Sequence, residues 1–200
     1  MRVILRTLLY YLFHRLYLPV YYKALCLLLR PVLSDSTLSV VVERSLFPAI
    51  ALKVLGADIG KGVRVHRGLY LHEARNSLKN LQIGDHVFLG ARVMIDLTDK
   101  VFIESNAAVG MNVTIITHAN FGDSARSADY PPERAPVRVC RDAVVNWGTI
   151  LNKGTVVSAG CIILPGSVVA GTLLPGATYA GNPARPLPLI KAQSSSSSTA

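Results

Sequence analysis

The sequence contains little cysteine, and the few it has are widely spaced. Its 200 residues include three cysteines, Cys26, Cys140 and Cys161. No two of them have the CxxC spacing of a zinc or redox site, so the sequence predicts neither a disulfide framework nor a metal site. A reducing compartment is therefore the expected location.

Acidic residues are also scarce, with 12 against 21 basic residues and a formal net charge of +9. The imbalance is greatest in residues 1–34, which contain no acidic residue but carry Arg2, Arg6, Arg15, Lys23 and Arg30. A basic chain favours nucleic acid, an anionic membrane or an anionic ligand as partner. Nucleic acid is not predicted here, because these charges lie among Leu, Tyr and Val residues rather than in a polar basic patch.

Residues 1–33 lack an uninterrupted apolar run. The longest stretch between their basic residues is residues 7–14, far short of the roughly 20 apolar residues that span a membrane. The sequence predicts two helices separated by Pro19. We expect them to lie in the plane of an anionic leaflet, as a peripheral anchor on the inner face of the membrane for a cytoplasmic protein. The alternative is a helical cap that packs on the remainder of the protein or on a neighbouring subunit.

A repeat of six residues is the dominant pattern in the C-terminal half. Every sixth position from Val139 is aliphatic: Val139, Val145, Leu151, Val157, Ile163 and Val169. The position four residues after each is mostly small: Ala143, Thr149, Thr155, Cys161, Ser167 and Leu173. A helix repeats every 3.6 residues and a strand every two, whereas hexapeptide repeats are typical of a parallel β-helix. The aliphatic residues are predicted to fill the interior, with the small residues beside them near the corners.

Earlier parts of the chain follow the same period with interruptions. If three hexads make one turn, the aliphatic positions of successive coils are 83/89/95, 103/109/115, 139/145/151 and 157/163/169. Residues 96–102 and 119–138 break the period, and both follow a third hexad, so they are predicted to lie on the same edge. Asp96 and Asp99 then lie beneath His118 and its loop. Long irregular loops in a compact solenoid are usually functional.

These patterns divide the chain into three parts. Residues 1–55 are predicted to be helical, residues 56–187 to form the β-helix domain with a loop at 119–138, and residues 188–200 to be a disordered Ser-rich tail.

Several motifs resemble one known family. The hexads, the "TIITH" before the long loop and the closing "YAGNPARP" resemble the left-handed β-helix acyltransferases, most closely the sugar O-acetyltransferases of the maltose, galactoside and colanic-acid type. The segments "LKVLGADIGKGVRVH", "LQIGDHVFLG" and "DKVFIESNAAVGMNVTIITH" are similar to the colanic-acid group. The resemblance covers about residues 50–187. It implies a mainly β fold with a left-handed parallel β-helix, and a homotrimer whose subunits share each site.

The resemblance also implies a reaction, the transfer of an acetyl group from acetyl-CoA to a hydroxyl of a sugar, glycan precursor or glycolipid, as in polysaccharide biosynthesis. A hydroxyl needs a base to take its proton as it attacks a thioester, and a histidine is suited to this at neutral pH. The matching residue is His118. The remaining histidines, His14, His66, His72 and His86, are interpreted as surface or structural residues.

Further site residues follow by position. Asp96 and Asp99 are predicted either to orient the imidazole or to bind a sugar hydroxyl, and the alternative for both is turn chemistry. Asn120 and Asp123 are predicted to line the acceptor pocket. For acetyl-CoA the resemblance implies a groove at Ser158, Ala159 and Gly160. Arg185 and Trp147 complete the set of predicted cofactor-binding residues.

Arg185 offers its fork of donors to a phosphate of the nucleotide, or is a surface charge. Trp147 faces outward in the repeat, where it stacks on the cofactor or packs at a subunit interface. Two other functions remain open at this point, an N-acyltransferase acting on an amine and a non-catalytic β-helix that serves as a scaffold or binding protein.

Overall fold

The computed structural model describes Val42, residues 48–74 and residues 78–188. The helix α1 (Pro48–Val54) precedes a run of short strands, and a 3₁₀ turn covers Leu78–Asn80. The first strands are β1 (Asp58–Ile59), β2 (Arg64–Val65), β3 (Tyr70–His72), β4 (Leu81–Ile83), β5 (Phe88–Leu89), β6 (Met94–Asp96), β7 (Val101–Ile103), β8 (Ala108–Val109) and β9 (Thr114–Ile115). The remaining strands are β10 (His118–Ala119), β11 (Glu133–Arg134), β12 (Val137–Val139), β13 (Val144–Val145), β14 (Ile150–Leu151), β15 (Val156–Val157), β16 (Ile162–Ile163), β17 (Val168–Val169), β18 (Thr178–Gly181) and β19 (Ala184–Pro186).

Except for β10 and β11, the strands form three sheets that wrap one solenoid of about six turns. Sheet A has the order β1-β4-β7-β12-β15, sheet B the order β19-β18-β16-β13-β8-β5-β2, and sheet C the order β17-β14-β9-β6-β3. Within the coil all pairings are parallel, whereas β19 returns antiparallel to β18 at the C-terminal end. Each coil contributes one strand to each sheet in turn.

Aliphatic side chains form columns inside the coil because the six-residue period brings them into register. Ile83 pairs with Ile103, Ile103 with Val139 and Val139 with Val157, and each is at most 3 % exposed. Burial of an aliphatic side chain of this size stabilises the folded state by about 1.5–3 kcal/mol relative to leaving it exposed. The small residues four positions later are also buried. The predicted hexad register is therefore confirmed.

Three edges join the sheets, and each is named for the sheets it connects. The A–B edge contains residues 60–63, 84–87, 104–107, 140–143, 158–161 and 174–177. The B–C edge contains residues 66–69, 90–93, 110–113, 146–149 and 164–167. The C–A edge contains residues 73–74, 78–80, 97–100, 116–136, 152–155 and 170–171. Both predicted interruptions of the repeat lie on the C–A edge.

The long connection at 116–136 is partly regular. Its ends form an antiparallel hairpin of β10 and β11, in which His118 pairs with Arg134 and Ala119 with Glu133. The predicted anchor at residues 1–33 and the Ser-rich tail from residue 189 onward lie outside the described residues. Among the residues that the structure describes, no helix has the length and apolar character to cross a membrane.

Candidate active site

Polar side chains from three successive coils meet on the C–A edge. Strand β3 ends at His72 and strand β6 ends at Asp96, and the two residues are in register. His118 begins β10, just after the third coil leaves sheet C at Ile115. The edge therefore brings together residues that are 24 and 22 positions apart in the sequence, and Asp96 occupies its centre at 1 % exposure.

The Asp96 carboxylate accepts hydrogen bonds at both oxygens. Oδ1 accepts from the Thr98 backbone N–H at 3.0 Å and from the Thr98 hydroxyl at 2.7 Å. Oδ2 accepts from the Thr117 backbone N–H at 2.7 Å, from the Thr117 hydroxyl at 2.8 Å and from the His118 backbone N–H at 3.1 Å. The same oxygen lies 2.7 Å from Nδ1 of the His118 ring. A buried carboxylate with this many donors is well satisfied.

These contacts decide the charge of Asp96. Burial alone raises the pKa of its carboxyl, but the hydrogen bonds from Thr98, His118 and Thr117 outweigh burial and hold that pKa well below its usual range. Asp96 is thus ionised and can only accept hydrogen bonds. Consequently, Nδ1 of His118 carries a proton and donates it to Asp96. In the neutral ring the lone pair is then on Nε2.

His118 is accessible as well as oriented. Its side chain is 29 % exposed, and the Thr98 hydroxyl lies 3.1 Å from Nδ1 as a second neighbour. The ring of His72 is nearly parallel to the His118 ring, with centroids 5.8 Å apart and planes 14° apart. An imidazole that is held at Nδ1 by a carboxylate and keeps a free electron pair on Nε2 has the arrangement of a general base.

The hairpin next to His118 carries further polar and aromatic side chains. Asn120 is exposed, and its Oδ1 accepts a hydrogen bond from the Gly122 N–H at 2.9 Å. The Phe121 and Tyr130 rings lie 5.3 Å apart, and each ring is about half exposed. Asp123 is exposed on the same loop. The predicted acceptor residues Asn120 and Asp123 therefore lie on the hairpin that begins at His118.

A model of the hexapeptide repeat of succinyl-transferase matches residues 80–116, which are the second and third coils. Among curated protein sequences, none matches. Residues 80–116 are thus similar to a hexapeptide-repeat family, and the same six-residue period continues to Val169.

Solved structures of acetyltransferases superimpose on most of the chain. A hexapeptide-repeat acetyltransferase from Vibrio cholerae, complexed with acetyl coenzyme A, is 22% identical with a TM-score of 0.67, over 77% of this chain and 84% of that one. A maltose O-acetyltransferase from Clostridium difficile is 20% identical with a TM-score of 0.66, over 85% and 87%. A galactoside acetyltransferase in complex with coenzyme A is 18% identical with a TM-score of 0.66, over 78% of each chain. These likenesses establish the fold, and the predicted left-handed parallel β-helix is confirmed.

The predicted cofactor residues lie on other edges than His118. Ser158, Ala159 and Gly160 are half-buried on the A–B edge, where the Ser158 hydroxyl donates to the Leu173 carbonyl at 2.5 Å. Trp147 is 59 % exposed on the B–C edge, with its indole over Gly110, where an added Cβ would be 2.6 Å from Trp147 Cδ1. Within one chain the predicted base and these residues are therefore not brought together.

Arg185 lies in sheet B, and a surface cavity lies on sheet A. Arg185 is exposed on β19, where its guanidinium donates to the Ala184 carbonyl at 3.1 Å. A cavity of about 330 Å³ lies on the outer face of sheet A and includes Gln82, Phe102, Glu104 and Arg138. Because its lining belongs to sheet A and to the A–B edge, this cavity is separate from the His118 cluster.

The six-residue period predicted that Asp96 lies beneath His118 but left the role of Asp96 open. The geometry favours the orienting role, because Asp96 is buried and both of its oxygens are engaged within the protein. Three neighbours of this pair were not predicted as site residues: Thr98, Thr117 and His72. The signal for Thr98 and Thr117 was their position within two residues of Asp96 or His118 on the same predicted edge.

Proposed function

We propose that this protein is an acetyl-CoA-dependent O-acetyltransferase that acts on a hydroxyl of a sugar or glycan precursor, with His118 as general base. The observation that carries the proposal is the hydrogen bond between His118 Nδ1 and the buried Asp96 carboxylate at 2.7 Å. The solved structures with this fold include enzymes named as maltose and galactoside acetyltransferases, and two of them hold acetyl coenzyme A or coenzyme A. Both findings support the same reaction.

The proposed reaction uses the two nitrogens of one ring. Nε2 of His118 takes the proton of the acceptor hydroxyl as its oxygen attacks the thioester carbonyl. The Asp96 carboxylate stabilises the imidazolium that forms and keeps its ring in place. As the tetrahedral intermediate collapses, the C–S bond breaks and the proton on Nε2 passes to the sulfur of coenzyme A. The products are the acetyl ester and the free thiol, and no covalent enzyme intermediate is required.

Thiol release from acetyl-CoA, measured with a panel of sugar acceptors, tests this function. We expect release that depends on an added sugar, and a loss of about 10²–10⁴-fold in kcat for His118→Ala, the usual contribution of a general base. His66→Ala is the matched control, because His66 is an exposed histidine on the B–C edge and its removal leaves the cluster intact. Full activity of His118→Ala would reject His118 as the base.

The same assay separates the competing functions. An acceptor panel that includes amino sugars distinguishes N-acylation from O-acetylation, because only the hydroxyl product is an ester cleaved by hydroxylamine. Coenzyme A binding without turnover on any acceptor would reject the proposed acceptor class. The absence of both binding and turnover would favour the scaffold.

We further propose a homotrimer in which each site is shared between two subunits. Support comes from the outward positions of sheet C, which are mostly apolar along the coil: Tyr70, Met94, Ile150 and Val168. Within one chain His118 lies on a different edge from Trp147 and Ser158, which also favours a site shared between two subunits. Mixed oligomers of His118→Ala and Trp147→Ala chains test this idea. A shared site regains part of the wild-type activity, whereas sites confined to one chain regain none.

We also propose that residues 1–33 attach a cytoplasmic enzyme to the inner face of the membrane, near a glycolipid acceptor. The support is their content of basic and apolar residues without any acidic residue. Co-sedimentation with vesicles tests this: binding is expected with phosphatidylglycerol vesicles and should weaken with salt. Equal binding by a chain that lacks residues 1–33 would contradict it.

A further inference from the structure

We propose that His72 is a positioning residue for His118, acting through its ring rather than through its nitrogen atoms; this inference rests on the proposed function. The rings of the two histidines are nearly parallel, with centroids 5.8 Å apart and planes 14° apart. Offset parallel pairs at 4.5–7 Å are a favourable arrangement of flat side chains. His72 is half-buried, so its ring forms part of the wall of the site.

The backbone of His72 is fixed relative to Asp96 and His118. His72 is the register partner of Asp96 in the β3–β6 pair, and its carbonyl accepts the Leu97 N–H at 2.9 Å. The next residue, Glu73, has a φ of 52°, a left-handed conformation that turns the chain out of sheet C. The ring of His72 is therefore anchored on the same edge as the carboxylate that holds His118.

The His118 ring needs such a neighbour because one hydrogen bond does not fix a ring plane. The bond from Nδ1 to Asp96 fixes one atom, while rotation about the side-chain bonds still changes the direction of Nε2. A flat ring packed parallel to the imidazole opposes that rotation. A base displaced by about 1 Å can lose up to about a hundredfold in rate, so the stack is expected to act on kcat rather than on acceptor affinity.

Two substitutions separate the ring from the nitrogen atoms. His72→Phe retains a flat ring of similar width and removes both nitrogens, whereas His72→Gln retains polarity and removes the ring. The first measurement is the rate at which the His118 Nδ1 proton exchanges with solvent. It is measured by NMR on protein labelled with ¹⁵N-histidine, in the absence of substrate. We expect His72→Phe to keep the wild-type exchange rate, and His72→Gln to exchange about ten times faster.

The second measurement is steady-state kinetics on the same two variants. We expect kcat to fall about tenfold to a hundredfold in His72→Gln and to stay within about threefold of wild type in His72→Phe, with little change in KM for either. Equal behaviour of the two variants, in exchange or in kcat, would overturn the proposal. Since exchange is measured without turnover, a ring-dependent exchange rate in a protein that transfers no acetyl group would support positioning by His72 while rejecting the proposed function.

Discussion

The chain turns in different ways at the A–B edge and at the C–A edge of the coil. On the A–B edge the turns repeat, with a left-handed residue at the same place in consecutive coils, at His86, Asn106 and Asp142. Their backbone N–H groups bond to the preceding coil, as in Asn106 N–H to the Asp85 carbonyl at 2.9 Å. On the C–A edge one buried side chain serves several such groups: the Asp96 carboxylate accepts the backbone N–H groups of Thr98, Thr117 and His118.

The difference shows where the fold leaves room for chemistry. A turn that repeats in every coil bonds its left-handed residue to the preceding coil through the backbone. The side chains that add to these bonds lie outside the core: Asp85 Oδ1 accepts the Lys61 N–H at 2.7 Å, and Glu104 Oε2 accepts the Arg141 N–H at 3.1 Å. An irregular edge needs a buried acceptor for its backbone N–H groups, and Asp96 supplies it. The same carboxylate holds the His118 ring. Structure and proposed catalysis on the C–A edge therefore depend on one residue, whereas on the A–B edge no single side chain has that position.

The largest effect is expected from Asp96→Asn, which keeps the shape of the side chain and removes its charge. The amide can no longer accept from all of its donors, and its NH₂ group favours the wrong tautomer of His118. We expect kcat to fall about 10³-fold and the free energy of unfolding to fall by about 2 kcal/mol. Steady-state kinetics and urea unfolding measure the two losses.

The control for this variant is Asp142→Asn on the A–B edge. Asp142 is exposed with a φ of 59°, and asparagine tolerates that conformation well. Both quantities are expected to stay within error of wild type. If the two substitutions had similar effects, the proposed contrast between the edges would be wrong.

The regular part of the fold was predictable because its information is local and repeated. The hexads at Ile83, Ile103 and Val139 fixed which residues face inward and which strands pair. The same argument placed Asp96 beneath His118, since both breaks follow a third hexad. The six-residue period is therefore sufficient to predict the edge of the coil on which a residue lies.

The details of the site were harder to predict from the sequence, because they depend on side-chain direction and on contacts across an irregular loop. His72 does not occupy one of the hexad positions that predicted the coil, and it was interpreted only as a surface or structural residue, so its ring contact with His118 was not predicted. The hairpin of β10 and β11 was likewise missed, because its strands are two residues long and lie within a polar loop. The predicted boundaries at residues 55 and 188 remain predictions.

Close packing of neighbouring coils gives the next largest effect. A Cβ added at Gly90 on the B–C edge would lie 2.6 Å from the backbone of Gly110 and Met111, so the coils would have to separate. We expect Gly90→Ala to lower the free energy of unfolding by about 3 kcal/mol. Gly166→Ala on the same edge is the control: it has a φ of 70° and no atom near the added Cβ, so only backbone strain of about 1 kcal/mol is expected. Urea unfolding of both variants would refute this account if their losses were equal.

Acidification provides a smaller test of the C–A edge. The pKa of Asp96 is lower in the folded protein than in the unfolded chain, so its contribution to stability is complete above the unfolded pKa of about 3.9 and is lost as pH falls below it. At pH 3 the loss from this one group is about 1 kcal/mol. Urea unfolding at pH 7 and pH 3 measures it as the difference between wild type and Asp96→Asn, which cancels the other carboxyl groups. An identical pH dependence of the two proteins would contradict an ionised Asp96.

Two buried threonines give the smallest and most discriminating comparison. Within the described residues, the Thr149 hydroxyl on the B–C edge is buried without a hydrogen-bond partner, whereas the Thr155 hydroxyl on the C–A edge donates to the Val169 carbonyl at 3.1 Å. Valine has nearly the same shape as threonine. We expect Thr149→Val to raise the free energy of unfolding by about 0.5–1 kcal/mol, because it removes a buried unpaired polar group, and Thr155→Val to lower it by about 1 kcal/mol. Urea unfolding that gave both changes the same sign would contradict the difference in hydrogen bonding between these two hydroxyls.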